Sequence, residues 1–396
     1  MPIRRRTVFQ SAHTFVFCSP AKVLSGNRAL ENLPVELAGM DACRPLILTT
    51  AGLAARGMER IMAAAFADSQ LTVGFFAGVP PCPDRELVRA LYGLYRDRGY
   101  DSLIALGGGP VLTVAKALNI AVSGEPEDLE AAAAGTLESK ELRPLTAIPN
   151  LDLSGYEMTR YADLASLSLT APTAIPRLLV LDHRTVPAED RKTTAAGALL
   201  VLTQAVEALL HPGRNHLTDA YAYGATRFIM ENLRMVIKNP SDRRRRLALA
   251  NAAFFAQTAF DNLCGGKIFC LGMAISRRCA ISPGLIMGLL IPHGLLMEMD
   301  REETPGKDLF LAVGGAEDYA LTGEGIGIRK TVDRFVELLL ELQSLIPDYP
   351  RSIRDIGLKK SDLEELPGAA DEITGRGTLD LSEVRYLLDK AWDTRF

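Results

Sequence analysis

The stretch "LIALGGGPVLTVAKAL" delivers Gly107, Gly108 and Gly109 straight after an apolar run, with Pro110 where a helix would begin. The chemistry open to such a turn is anion binding. Glycines let the main chain approach a phosphate closely, and the free amides and dipole of a helix start favour negative charge. Pro110 suits a first-turn position, where its missing N–H has no intrahelical partner. Lys116, about two turns in, could add a cation. Three adjacent glycines are not the spaced six-residue dinucleotide fingerprint, and many strand-to-helix turns bind nothing. The strand-to-helix setting therefore carries the expectation of phosphate binding.

A second stretch, "ALLVLTQAVEALL" (198–210), reads as a helix apolar almost all round that nonetheless carries Thr203, Gln204 and Glu207. An unpaired buried carboxylate costs on the order of several kcal/mol, so Glu207 needs a partner. Gln204 and Glu207 are expected to hydrogen-bond this helix to its neighbours. Metal chemistry is poorly supplied. The five histidines are His13, His183, His211, His216 and His293, and no two stand at i, i+3 or i, i+4. His211 and His216 flank a Pro-Gly loop, which suggests a surface role. The six cysteines (Cys18, Cys43, Cys82, Cys264, Cys270 and Cys279) contain no C-x-x-C pair and read as reduced cytosolic thiols.

The elements that must position these groups follow from periodicity. "PLILTT", "LTVGFFAGV" and "DSLIALGGG" read as strands, separated by the helical segments "LAARGMERIMAAAFAD" and "DRELVRALYGLYRDRG". Apolar strands alternating with amphipathic helices predict βαβ units and a parallel sheet. After "PRLLVLDHRTVP" the alternation stops and the remaining segments have helical period, among them "SDLEEL" with Ser361 and Glu364 in capping-box spacing. The expected organisation is an α/β nucleotide-binding domain over 1–184 and an all-helical domain over 185–396. A chain of 396 residues accommodates two such domains.

Composition excludes several classes. With 48% hydrophobic and 23% charged residues the chain is a globular one rather than a disordered one, and a net charge of −4 gives no reason to expect nucleic acid. The runs Arg4–Arg6 and Arg243–Arg246 read as a solvated terminus and helix end. The N-terminus lacks the apolar core of a secretory signal, and no stretch reads as a membrane span, since "GLIMGLLIPHGLLM" breaks at Pro292 and His293. The expected location is the cytoplasm, with no membrane partner.

Five stretches, in order, resemble the iron-containing (group III) alcohol dehydrogenase family: "ALGGGPVLTVAKAL", "AIPNLDLSGYEMTRYADL", "LLVLDHRTVP", "AGALLVLTQAVEAL" with "HLTDAYAYGATRFIMENL", and "IPHGLLME". The resemblance implies a Rossmann-like parallel-sheet domain followed by a helical domain, a dehydroquinate synthase-like architecture. It also implies NAD or NADP in the cleft between them, a small-molecule substrate, and a homodimer or larger assembly. Cofactor contacts would fall on Thr49, Thr50, Gly107, Gly108, Gly109, Pro110, Thr113, Lys116, Asn150, Leu151, Ser154 and Tyr156.

The resemblance also exposes departures. In the family one Asp and three His hold Fe²⁺ or Zn²⁺. Those positions fall here on Leu200, on Gln204, on either Cys279 or Phe269 depending on the register, and on His293. One imidazole is a poor site for a divalent ion that wants three or four N, O or S donors, so no family-type metal is expected. At the end of the first strand, Thr49 and Thr50 stand where NAD-preferring members carry Asp. This removes a bar to NADP without creating a site for it. The implied function is NAD(P)-dependent oxidation or reduction of an alcohol, aldehyde or ketone, independent of metal. His293 as acid or base, Tyr156 as a phenol donor, and Lys267 or Arg278 as an electrostatic clamp are the catalytic candidates. The alternative is a lapsed or repurposed member that binds a nucleotide or phosphorylated ligand without dehydrogenase turnover.

Overall fold

The structure is a computed structural model that describes residues 14–125, 128–137, 141–150, 153–164, 167–186, 190–263, 265–279, 281–298, 306–322, 327–374 and 379–394. Arg4–Arg6, His13, Leu151 and Cys264 lie outside the described residues.

The chain runs β1 (Lys22–Gly26), α1 (Leu33–Ala38), β2 (Pro45–Leu48), α2 (Ala51–Ala55), α3 (Met58–Phe66), β3 (Gly74–Phe76), α4 (Arg85–Asp97), β4 (Ser102–Leu106), α5 (Gly109–Ser123), α6 (Asp128–Ala133) and β5 (Leu145–Ile148). A hairpin of β6 (Tyr161–Leu164) and β7 (Leu167–Thr170) precedes β8 (Leu178–Asp182). From there the described regular structure is helical: α7 (Arg191–Leu210), α8 (His216–Lys238), α9 (Arg243–Leu263), α10 (Lys267–Arg278), α11 (Pro283–Met297), α12 (Gly306–Thr322), α13 (Gly327–Leu345), α14 (Leu366–Thr374) and α15 (Leu381–Asp393). The expected fold class, a Rossmann-like parallel sheet followed by helices, is the one observed.

Six strands form one sheet in the order β1-β8-β5-β4-β2-β3, every pair parallel. Its strands read as continuous apolar runs because both faces are covered. Successive side chains still alternate between two cores. Leu46 and Leu48 face the core that continues into the helical part, and Ile47, Ile104 and Val180 face a smaller one capped by Leu30, Leu33 and Met62. Helix α5 is buried over almost its whole length. From β2 the chain moves outward to β3, whereas from β4 it moves the other way to β5. That reversal opens a crevice beyond the carboxyl ends of β2 and β4, the place where open α/β sheets bind ligands.

Four expectations need correction. The helix expected over 53–68 divides at Gly57, whose φ of +85° ends α2 and starts α3. The strand expected over 71–79 is only Gly74–Phe76. Near 361 the carboxylate of Asp362 accepts from Lys359 N at the start of a short 3-10 helix, so Ser361 is no cap. Among the described residues one helix is long and apolar enough to cross a bilayer: α7, of which 89% of the most apolar window is buried inside the protein. Packing against α8, α9, α10 and α11 explains an all-round apolar surface without a membrane.

Candidate active site

Thr50 after β2, Ala77–Pro81 after β3, Gly108 and Pro110 after β4 and Asn150 after β5 line a crevice of about 520 Å³. At Gly107, φ is +145°, and a Cβ would stand 3.0 Å from Val111 Cγ2 and 3.1 Å from Leu53 Cδ1. Gly109 is needed for a different reason. A Cβ there would lie 2.4 Å from Ser154 Cβ, so the turn and the 153–160 loop pack too closely for any larger residue. No side chain caps the start of α5, and Pro110 occupies its first turn. The orphan amides and helix dipole thus face the crevice, an arrangement suited to phosphate.

Other residues expected at the cofactor serve the scaffold. Thr49 is fully buried, and its hydroxyl donates to Leu106 O at 2.7 Å, tying β2 to β4. Thr113 is buried within α5 and does not line the crevice. The ammonium of Lys116 is turned away from the glycine turn. It donates to the carbonyls of Tyr156, Thr159 and Tyr161, at 2.5, 2.6 and 2.9 Å, and its burial lowers its pKa to about 7. Lys116 therefore pins the 156–161 loop instead of greeting a phosphate. Ser154 donates through its hydroxyl to Glu157 at 2.9 Å.

The loop owes its shape to Glu157. Its carboxylate is 1% exposed and accepts from Ser154 N, Gly155 N and Gln257 Nε2. Gln257 returns a bond, accepting from Met158 N at 2.7 Å. Asp261, one turn further along α9, accepts from Arg160 N and pairs with its guanidinium at 2.8 Å. Glu157 sits three residues after Ser154, a spacing that flags a local side-chain-to-backbone motif. Nothing in sequence shows that Gln257 and Asp261 meet it.

The polar groups Gln204 and Glu207 on α7 are both hydrogen-bonded to neighbouring segments. Gln204 Nε2 donates to Gly155 O at 2.8 Å. Glu207 accepts from Ile268 N at 2.6 Å and Phe269 N at 3.0 Å, capping α10 from a neighbouring helix. Burial nevertheless pushes the Glu207 carboxyl up to about 7. Gln204 thus ties α7 to the 153–160 loop and Glu207 ties it to α10, as expected of groups that bond this helix to its neighbours.

Three of the positions where the family's metal ligands fall do converge. A Cβ on Gly155 would meet Leu200 Cδ2 at 2.5 Å, Phe269 Cε2 at 3.0 Å and Gln204 Nε2 at 3.1 Å. Phe269 packs edge-on against Tyr156 at 5.7 Å and against Phe260 at 4.8 Å. Phe269, not Cys279, is thus the residue beside Leu200 and Gln204. Cys279 caps the opposite end of α10, roughly 15 Å along the axis at 1.5 Å per residue. Two hydrocarbon side chains and one amide do not fit a divalent ion. Gln204 Oε1 is buried and has no partner among the described residues. His293 lies buried on α11, and burial lowers its imidazole to about 4, so it is neutral near pH 7.

Lys267 does not stand free as a clamp. Its ammonium pairs with Glu298 at 2.9 Å and Glu383 at 2.7 Å. Burial works to lower its pKa, but these two bonds outweigh that and raise it. It lines a separate cavity of about 230 Å³ with Glu207, Gly266 and His211. His211 is half-buried there and accepts from Gly213 N. Arg278 pairs with Glu365. Within the arginine run, Arg243 and Arg244 are exposed at the start of α9, whereas Arg246 is buried and donates to Val186 O at 2.8 Å.

A parallel sheet with a glycine cradle at its switch point, followed by a helical bundle, defines a two-part nucleotide-binding protein. The comparisons specify the family. The model for "Iron-containing alcohol dehydrogenase" matches residues 20–183 and that for "Fe-containing alcohol dehydrogenase family, C-terminal" matches residues 194–377. The chain belongs to the iron-containing alcohol dehydrogenase family. It is 27% identical to long-chain-alcohol dehydrogenase 1 of Geobacillus thermodenitrificans, over 92% of this chain and 93% of that one. It is 26% identical to 1,3-propanediol dehydrogenase of Klebsiella pneumoniae, over 74% and 76% respectively. Among solved structures, a 1,3-propanediol oxidoreductase superposes with a TM-score of 0.85 at 21% identity, covering 96% of this chain and all of the other. Sulfoacetaldehyde reductase from Bifidobacterium kashiwanohense, solved with NAD⁺, superposes at 0.81 and 16% identity, over 96% and 99%.

Proposed function

We propose that the protein is an NAD(P)-dependent oxidoreductase that interconverts an alcohol with its aldehyde or ketone and does so without the family's metal. The observation that carries this is the crevice at the strand ends, where the uncapped start of α5 and the close-packed glycine turn offer main-chain amides to a pyrophosphate. Relatives named for long-chain alcohols and for 1,3-propanediol support the substrate class. With the family, the reading takes a small-molecule substrate and a homodimer or larger assembly in the cytoplasm.

The nicotinamide ring supplies or accepts the hydride. The chain's own task is to polarise the substrate oxygen and move its proton. Lys267 is occupied by two carboxylates and Arg278 by Glu365, which leaves Tyr156 and His293. Tyr156 is the better placed. It follows the loop that presses on Gly109, and its ring touches Phe269, joining the cradle to the converged ligand positions. Burial raises its pKa well above 10, so the phenol stays protonated and donates a hydrogen bond. His293 remains neutral and can accept one.

The test is elemental analysis of the purified protein with NAD(H) and NADP(H) titrated by fluorescence, followed by turnover of alcohols and aldehydes. Cofactor binding and turnover without stoichiometric metal are expected, and Tyr156→Phe should cut kcat by about 10²-fold, the usual scale for a lost acid–base group. Stoichiometric iron or zinc overturns the metal-independent reading. Binding without turnover leaves the repurposed alternative in its place.

A further inference from the structure

The end of β2 leaves open which of the two nicotinamide dinucleotides the crevice takes. We propose that Arg56 makes NADP(H) the preferred cofactor by pairing with the 2′-phosphate of the adenosine ribose. This rests on the nucleotide reading of the same crevice.

Among the described residues that line the crevice, Arg56 carries the sole charged side chain and no carboxylate is present. Its placement follows from local sequence. Thr50 ends the β2 segment and caps α2, its hydroxyl accepting from Leu53 N at 3.3 Å. Gly57, at φ +85°, stops that helix after five residues, so Arg56 becomes its terminal cap at the rim of the crevice. A longer helix would carry the next turn away from the strand ends. Gly52 keeps the approach open, since a Cβ there would meet nothing closer than Thr50 Oγ1 at 3.9 Å.

The chemistry discriminates sharply. A ribose 2′-hydroxyl is held by an acceptor, for which α/β dinucleotide sites use an acidic residue after the second strand. Here that region offers a threonine hydroxyl already engaged as a cap. A 2′-phosphate brings close to two negative charges and three acceptor oxygens, which a guanidinium meets with parallel N–H donors. The crevice thus lacks the group that selects NAD(H) and holds the group that selects NADP(H).

The experiment titrates the full-length chain with NADPH and NADH, and with 2′,5′-ADP and 5′-AMP as probes of the adenosine half alone. NADPH is expected to bind at least tenfold more tightly than NADH, and 2′,5′-ADP more tightly than 5′-AMP by a similar factor. Arg56→Gln should remove most of that advantage and leave NADH within twofold, while Arg56→Lys restores part of it. Thr50→Asp, which keeps a competent cap, should reverse the preference. Equal affinity of the wild-type chain for both dinucleotides overturns this inference alone. So does an Arg56→Gln variant that weakens both equally. If neither dinucleotide binds, the cofactor reading above falls with it.

Discussion

Two regions of this molecule have met sequence divergence differently. At the glycine turn the start of α5 presents main-chain amides that no side chain caps, and Gly107 and Gly109 leave no room for a larger residue. Around Gly155 the family resemblance implies a site written in side chains, and there Leu200 and Phe269 pack as hydrocarbon beside the Gln204 amide. A site written in backbone amides depends on conformation and tolerates exchange of neighbours. A site written in donor atoms disappears with them.

The contrast can be broken most directly by putting charge back. Leu200→Asp should destabilise the protein by about 3–5 kcal/mol, because Leu200 is fully buried beside Phe269 and the described residues around Gly155 offer a carboxylate no cation. Urea unfolding measures this, and an unchanged midpoint would mean that the pocket is still polar enough for a ligand set.

The next effect is a pH dependence. His293 is neutral in the folded protein at pH values where the unfolded chain protonates it, so its folded pKa lies below its unfolded one. Its contribution is fully present above about pH 6.5 and is lost as pH falls towards 4. A shift of that size corresponds to roughly 3 kcal/mol. His293→Gln should flatten the acid limb of stability against pH, and an acid limb that stays the same places its origin elsewhere.

Glu207 has the opposite sign. Its folded pKa, about 7, lies above the unfolded value, so its titration removes stability as pH rises through 7. Glu207→Ala nevertheless leaves the amides of Ile268 and Phe269 without an acceptor, at a cost of about 2 kcal/mol. Glu207→Gln, which keeps an acceptor and cannot ionise, should lose less and abolish the decline near pH 7. Thermal melts across pH 5–8 separate the two variants.

The smallest effect sharpens the other side of the comparison. Gly109→Ala should cost about 1–3 kcal/mol through its clash with Ser154 and weaken cofactor binding along with stability. A fully stable Gly109→Ala variant with unaltered binding would show that the turn and the 153–160 loop can move apart.

Much of this was legible in residue order. Strand and helix periods located the change from alternating elements to helices, and Glu207 announced a partner because a buried carboxylate needs one. Lys116 departs from the expectation for a physical reason. Its distance from the glycines along the helix suits a phosphate, but the direction of its side chain depends on where residues 156–161 pass, and those lie some forty positions away. For similar reasons Arg56 carried no signal of its own and Glu157 only the local one of its spacing from Ser154. One becomes a crevice residue only when Gly57 stops its helix, and the other organises a loop whose second anchor is on α9.

What residue order determined by itself was local: the turn that needs glycine, the apolar runs that must be covered, the absence of imidazoles at helical spacing and the polar groups that require partners. Tertiary structure alone decided which groups meet. It brought Leu200, Gln204 and Phe269 around Gly155, set Phe269 rather than Cys279 beside them, turned Lys116 inward to three carbonyls and placed Arg56 at the crevice. Propensity and periodicity act over a few residues, whereas these contacts join segments tens to more than a hundred positions apart, and only the packed fold specifies them.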